Sequence, residues 1–131
     1  MDILTWADLL QLRQGNQVLH HSGNLATVTR IRLDGDGSGH IELNFDGDSL
    51  NLLQLNTRAH LEHHVFYRWS CGWQVPKFKA DQQVWRRGDE IETYHTIESI
   101  SPNCLGGYSY YLTDSRALHP ESCLVHRSLA T

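Results

Sequence analysis

The sequence predicts a mainly β protein with one short N-terminal helix, and three observations carry that expectation. Short runs alternate apolar and polar residues: in His40-Ile41-Glu42-Leu43-Asn44-Phe45, the side chains of Ile41, Leu43 and Phe45 would share one face. β-Branched residues gather in the stretches 25–33 and 96–100. Turn formers punctuate these runs at Gly15-Asn16, between Asp34 and Gly39, at Asp46-Gly47 and at Gly106-Gly107. A chain of 131 residues fits one domain, or two very small ones that would each lean on the other. With 40% hydrophobic and 20% charged residues, the composition is that of a globular chain and not a disordered one.

In chain order, the first element is a helix N-capped by Thr5, with Asp8 in the capping-box position. Trp6, Leu9, Leu10 and Leu12 recur at helical spacing, and Gly15 suits the C′ position. From Gln17 the signals become β. A strand opens at Val18, a second spans Leu25 to Leu33, a third runs from His40 to Phe45, and Leu50, Leu52, Leu53 and Leu55 form a fourth. The segment from Thr57 to Trp69 carries two signals. Thr57 caps a helix through Arg58–His63, while Val65, Tyr67 and Trp69 alternate as a strand; the favoured reading is a helical turn followed by a strand. Ser70-Cys71-Gly72 reads as a turn, and Pro76 breaks whatever precedes it.

The second half repeats this grammar. Gln17-Val18 echoes Gln83-Val84, and Thr27-Val28-Thr29-Arg30-Ile31 echoes Thr96-Ile97-Glu98-Ser99-Ile100. At the same spacing Leu43 pairs with Leu112 and Leu55 with Leu124. The pattern reads as a degenerate duplication, although half-buried hairpins in general share much of it.

The segment Phe78-Lys79-Ala80-Asp81-Gln82-Gln83-Val84-Trp85 resembles the opening of small SH3-like barrels of the KOW/Tudor type, with Ala80 where glycine is usual. The strand Thr96–Ile100, the pair Gly106-Gly107 before Tyr108–Leu112, and Pro120–Leu124 as a closing turn and strand extend the likeness. It covers residues 78–126, and 15–56 more loosely. It implies two small SH3-like barrel modules in tandem: residues 1–16 as the helix, 17–70 as a first module and connector, and 71–131 as a second module. Such a resemblance implies a binding module and names no ligand.

Asp34-Gly35-Asp36-Gly37-Ser38-Gly39-His40-Ile41-Glu42 is similar to an EF-hand calcium loop, with Asp34, Asp36 and Ser38 at ligand positions and Gly39 at the sharp turn. Phe45 occupies the twelfth position, where a bidentate carboxylate belongs, and the flanks read as strands, so a glycine-rich hairpin competes with that reading. In His60-Leu61-Glu62-His63-His64, a helix would bring His60 beside His63 and His64, a spacing suited to Zn²⁺ or Ni²⁺; a polar surface turn is the competing reading. His20-His21 is a weaker pair of the same kind. Cys71, Cys104 and Cys123 form neither a disulfide framework nor, with His95 or His119, any recognisable thiol signature. No glycine-rich phosphate loop precedes a helix.

The aromatics of the second half are the stronger binding signal. Trp85, Tyr94, Tyr108 and Tyr111, with Arg86 and Arg87 alongside, would line a groove for a protein or peptide; in the competing reading Tyr110 and Leu112 face the core while Trp73 and Trp85 pack between the halves. The leading expectation is therefore a non-enzymatic interaction module. A net charge of −4 weighs against a dedicated nucleic-acid binder, which stays as an alternative through Arg86, Arg87 and Arg116. A metal- or calcium-responsive protein is the other alternative. No cofactor is expected and no catalytic site is nameable. The acidic N-terminal stretch is unlike a signal peptide and no apolar run reaches membrane length, which predicts a cytoplasmic protein.

Overall fold

The computed structural model describes residues 3–36, 38–45, 52–56, 58–69, 74–88, 94–103 and 107–126, with the backbone alone at 58–60. The chain divides into two compact units, Met1–Trp73 and Gln74–Thr131. Each contains one five-stranded antiparallel sheet, so the protein is mainly β. Among the described residues no helix is long and apolar enough to cross a membrane.

The first unit opens with helix α1 (Trp6–Leu10). Both halves of the capping box form: Asp8 N–H donates to Thr5 Oγ1 at 3.2 Å, and Thr5 N–H donates to Asp8 Oδ2 at 2.9 Å. The helix is shorter than the apolar spacing suggests. It ends at Leu10 with Gln11 as C-cap, and Gly15 lies in the following turn at φ +93° instead of at C′. Trp6, Leu9 and Leu10 are buried as expected, and Leu12 packs partly buried beside them. Next come β1 (Gln17–His20), β2 (Leu25–Leu33), β3 (Gly39–Phe45) and β4 (Leu52–Leu55). A 3₁₀ helix at Arg58–His63 leads to the three-residue strand β5 (Phe66–Arg68). The sheet order is β4-β3-β2-β1-β5. Val18, Ala26, Val28, Ile41, Leu43, Leu55 and Phe66 face one core together with the helix residues. Gly39 is required by that packing. A Cβ there would lie 2.5 Å from the Arg32 carbonyl oxygen and 2.8 Å from Leu10 Cδ2, so the glycine lets the helix settle on the start of β3.

The second unit contains β6 (Gln83–Arg86), β7 (His95–Pro102), β8 (Tyr108–Leu112), β9 (Ser115–Pro120), a 3₁₀ helix at Glu121–Cys123, and β10 (Leu124–His126). Its order is β10-β6-β7-β8-β9, the same path as the first sheet taken strand for strand. Strand β9 carries no sequence alternation and is mostly exposed, which is why periodicity does not reveal it. The two sheets also share a bulge. The register slips between Val28 and Arg30 in one and between Ile97 and Ser99 in the other, after the corresponding pairs Val28↔Leu43 and Ile97↔Leu112. Leu55 and Leu124 are not counterparts, since Leu55 lies on β4 and Leu124 on β10.

The closed barrels implied by the resemblance do not form. Each sheet is open, with β4 and β5 at the edges of the first and β9 and β10 at the edges of the second. Closure demands strands long enough to tilt and stagger around an axis, and the edge strands β5 and β10 have three residues each. The Asp46-Gly47 turn, Leu50, the Thr57 cap, the turn Ser70-Cys71-Gly72, Trp73, Cys104 and Gly106 lie outside the described residues.

Replacing Gly39 with alanine should destabilise the protein by roughly 1–3 kcal/mol through overpacking. Urea denaturation checks this; an unchanged midpoint would mean that Leu10 and the β2–β3 backbone yield freely.

Candidate functional site

The β1–β5 seam gathers three histidines. Strand β1 ends at His20, and His21 follows at the turn into β2. His64 follows the 3₁₀ helix directly and precedes β5. The seam is fixed by the pairs Val18↔Arg68, Leu19↔Tyr67 and His20↔Phe66, and by the His21 N–H donating to the Val65 carbonyl at 2.9 Å. The result is a cluster in which one ligand nitrogen from each of His20, His21 and His64 lies within 4.8 Å of the others.

The hydrogen bonds assign the protons. The backbone N–H of Ser22 donates to His20 Nδ1 at 3.2 Å, so that nitrogen is an acceptor and the neutral ring carries its proton on Nε2. His20 Nε2 then donates to His64 Nδ1 at 2.9 Å. His21 Nδ1 accepts from the Val65 N–H at 3.1 Å. Ser22 Oγ stands 2.8 Å from His20 Nδ1 and is itself held by Asn24 Nδ2 at 3.0 Å. Phe45 and Phe66 wall the cluster, with ring centroids 5.2 and 5.1 Å from that of His20.

This environment keeps the rings neutral. His20 is 7% exposed. Burial, reinforced by the neighbouring His21 and His64 rings, pushes its pKa down to about 3. Burial also lowers His21. It lowers His64 as well, with smaller contributions from His21 and His63. Neutral imidazole is the form that ligates a metal.

Of the expected set His60, His63 and His64, the structure places His64 with His20. The segment is a 3₁₀ helix that stops at His63, so His64 leaves it and turns to His20. His63 is exposed, and the His60 side chain lies outside the described residues. Sequence spacing points to the neighbours of His64 along the chain, yet its partner is 44 positions away.

The acidic loop is a hairpin turn between β2 and β3. Ser38 Oγ donates to Asp36 Oδ1 at 2.5 Å and lies 3.3 Å from Asp34 Oδ2, the Ser38 N–H donates to Asp36 Oδ1 at 3.1 Å, and Arg32 Nε lies 3.4 Å from Asp34 Oδ1. Its carboxylates are engaged within the turn, and its flanks are strands where a calcium loop has helices.

The aromatic residues expected to line a groove are dispersed. Trp85 is 8% exposed and Tyr108 5%, both core residues of the second unit. The Tyr108 hydroxyl donates to the Gln74 carbonyl at 2.6 Å, and burial, with Glu121 nearby, raises its pKa to about 12. Tyr111 is half-buried on the face of β8 opposite Tyr108, Tyr110 and Leu112, and Tyr94 is 46% exposed before β7. Arg86 is half-buried, and Arg87 Nε donates to the Ser122 carbonyl at 2.7 Å. Tyr110 serves the core: its hydroxyl donates to Glu121 Oε2 at 2.5 Å and accepts from the Phe78 N–H at 3.2 Å.

Comparison of the chain with protein-family models, curated proteins and solved structures returned no match.

The histidine cluster makes stability depend on pH. Unfolded His20 takes up a proton near pH 6.5, while the folded ring does so near 3. Within that window the unfolded state binds more protons, so stability is full above 6.5 and falls as the pH drops towards 3. Chemical denaturation at stepped pH should show a steeper acid loss for the native chain than for His20→Gln. Parallel curves would contradict the burial of His20 as a neutral ring.

Proposed function

We propose that this protein is a non-enzymatic metal-binding protein whose site is His20, His21 and His64, taking a divalent transition metal of the zinc class. The observation that carries the reading is the convergence of three imidazoles from two separate segments within 4.8 Å. Imidazole nitrogens suit Zn²⁺, Ni²⁺ and Cu²⁺, whereas Ca²⁺ and Mg²⁺ take oxygen ligands. Tetrahedral coordination at Zn–N distances near 2.0–2.1 Å needs nitrogens about 3.3 Å apart. The half-buried His21 and His64 would reach that spacing by side-chain rotation. Ligation through His20 Nε2 would require that ring's proton on Nδ1, where Ser22 Oγ, 2.8 Å away, would accept it once the Ser22 N–H that now donates there turns aside.

Each unit, a run of antiparallel strands whose fifth strand follows a 3₁₀ helix and pairs with the first, supports reading the chain as tandem SH3-like modules. A peptide- or protein-binding role keeps less support, because Trp85 and Tyr108 are buried and only Tyr94 and Tyr111 offer surface.

Calorimetric titration with Zn²⁺ should find one equivalent bound. His20→Gln and His64→Gln should each abolish saturable binding, and His63→Gln should keep it. Ser22→Ala should weaken affinity by roughly 10–100-fold, as loss of an orienting partner does. Binding that survives His64→Gln, or no saturable binding to the native chain, would sink the proposal.

A further inference from the structure

We infer that an ion held by His20, His21 and His64 clasps the edge strand β5 onto β1 and so controls whether this side of the first sheet is closed; the inference rests on the metal-binding reading above. Strand β5 is a short strand at the margin of its sheet. It has three residues and is joined to β1 through three residue pairs. On its outer side it meets the N-terminal segment through the Ile3↔Tyr67 bridge and the Leu4 N–H donating to the Phe66 carbonyl at 2.8 Å. Short edge pairings of this kind open more readily than central strands.

The three rings stand on both sides of that seam. His20 and His21 belong to β1 and its turn, and His64 precedes β5. A single ion would therefore link chain positions 44 residues apart. Lifting β5 carries His64 away from His20, exposes Phe66, which is fully buried in the first unit's core, and leaves the backbone groups of β1 without their partner. Opening and ion binding are thus mutually exclusive. An ion that binds only the closed form suppresses opening by the factor 1 + [M]/Kd, about 100-fold at a hundred times Kd.

The test is hydrogen–deuterium exchange on the full chain, with and without Zn²⁺ at a hundred times the Kd found by calorimetry. The expected result is exchange slowed about 100-fold at the amides that cross the seam, those of His21 and Val65 among them, with β3 amides and the whole second unit unchanged. His63→Gln should reproduce this, and Ser22→Ala, which leaves all three rings in place, should need proportionately more Zn²⁺ for the same protection. One equivalent of bound Zn²⁺ with unaltered exchange at those seam amides would overturn the clasp and leave the metal site standing. Uniform slowing across the first unit, β3 included, would also overturn it, since the ion would then only stabilise the fold globally. Failure to bind Zn²⁺ would remove the site and the clasp together.

Discussion

The backbone pairing of β1 with β5 is the contact on which the first unit's chemistry depends. It places Phe66 opposite His20, seals Phe66 into the core, and brings Val65 close enough for its carbonyl and N–H to engage both the backbone and the ring of His21. The burial that lowers the His20 pKa follows from the same closure, because Phe66 and His64 cover that ring from the β5 side. The site is therefore a product of a long-range strand pairing. It has no existence on either segment alone.

The second unit repeats the backbone of this corner with different side chains. Arg87 N–H donates to the Cys123 carbonyl at 2.8 Å, just as His21 N–H donates to the Val65 carbonyl at 2.9 Å. Where the first unit carries His20 and His21, the second carries Arg86 and Arg87, two permanent cations that would repel a metal ion. One chain path thus supports two unlike corners, and the difference lies in the side chains. Fold alone does not define the chemistry here.

Packing explains the fate of the other sequence signals. Gly39 suits the sharp turn of a calcium loop, but its lack of a Cβ serves the approach of Leu10 and the Arg32 carbonyl. Asp34 and Asp36 are engaged by Ser38 and Arg32 in closing a hairpin. The tyrosines of β8 alternate, so Tyr108 and Tyr110 enter the core while Tyr111 takes the other face. A binding groove built from aromatic composition had no way to register that split.

Much of the fold was legible in residues close in sequence. The capping box of Thr5 and Asp8, the alternation of Ile41 and Leu43, and the 3₁₀ helix over Arg58–His63 followed by a strand all rest on local preferences or short periodicities. Helix length, the exposed strand β9 and the openness of the sheets were not legible, because competing contacts from elsewhere set them. The candidate site was half visible: His64 stood out, but was grouped with His60 and His63 along the chain. Its partnership with His20 and His21 depends on the β1–β5 register, and neither 3.6- nor 2-residue periodicity carries information about which distant strand a segment pairs with. The sequence by itself determined which residues could form strands and turns and supplied nine histidines. Only the tertiary structure decided which three of them share a buried corner, since that is settled by long-range hydrogen-bond registry and by the burial of Phe66.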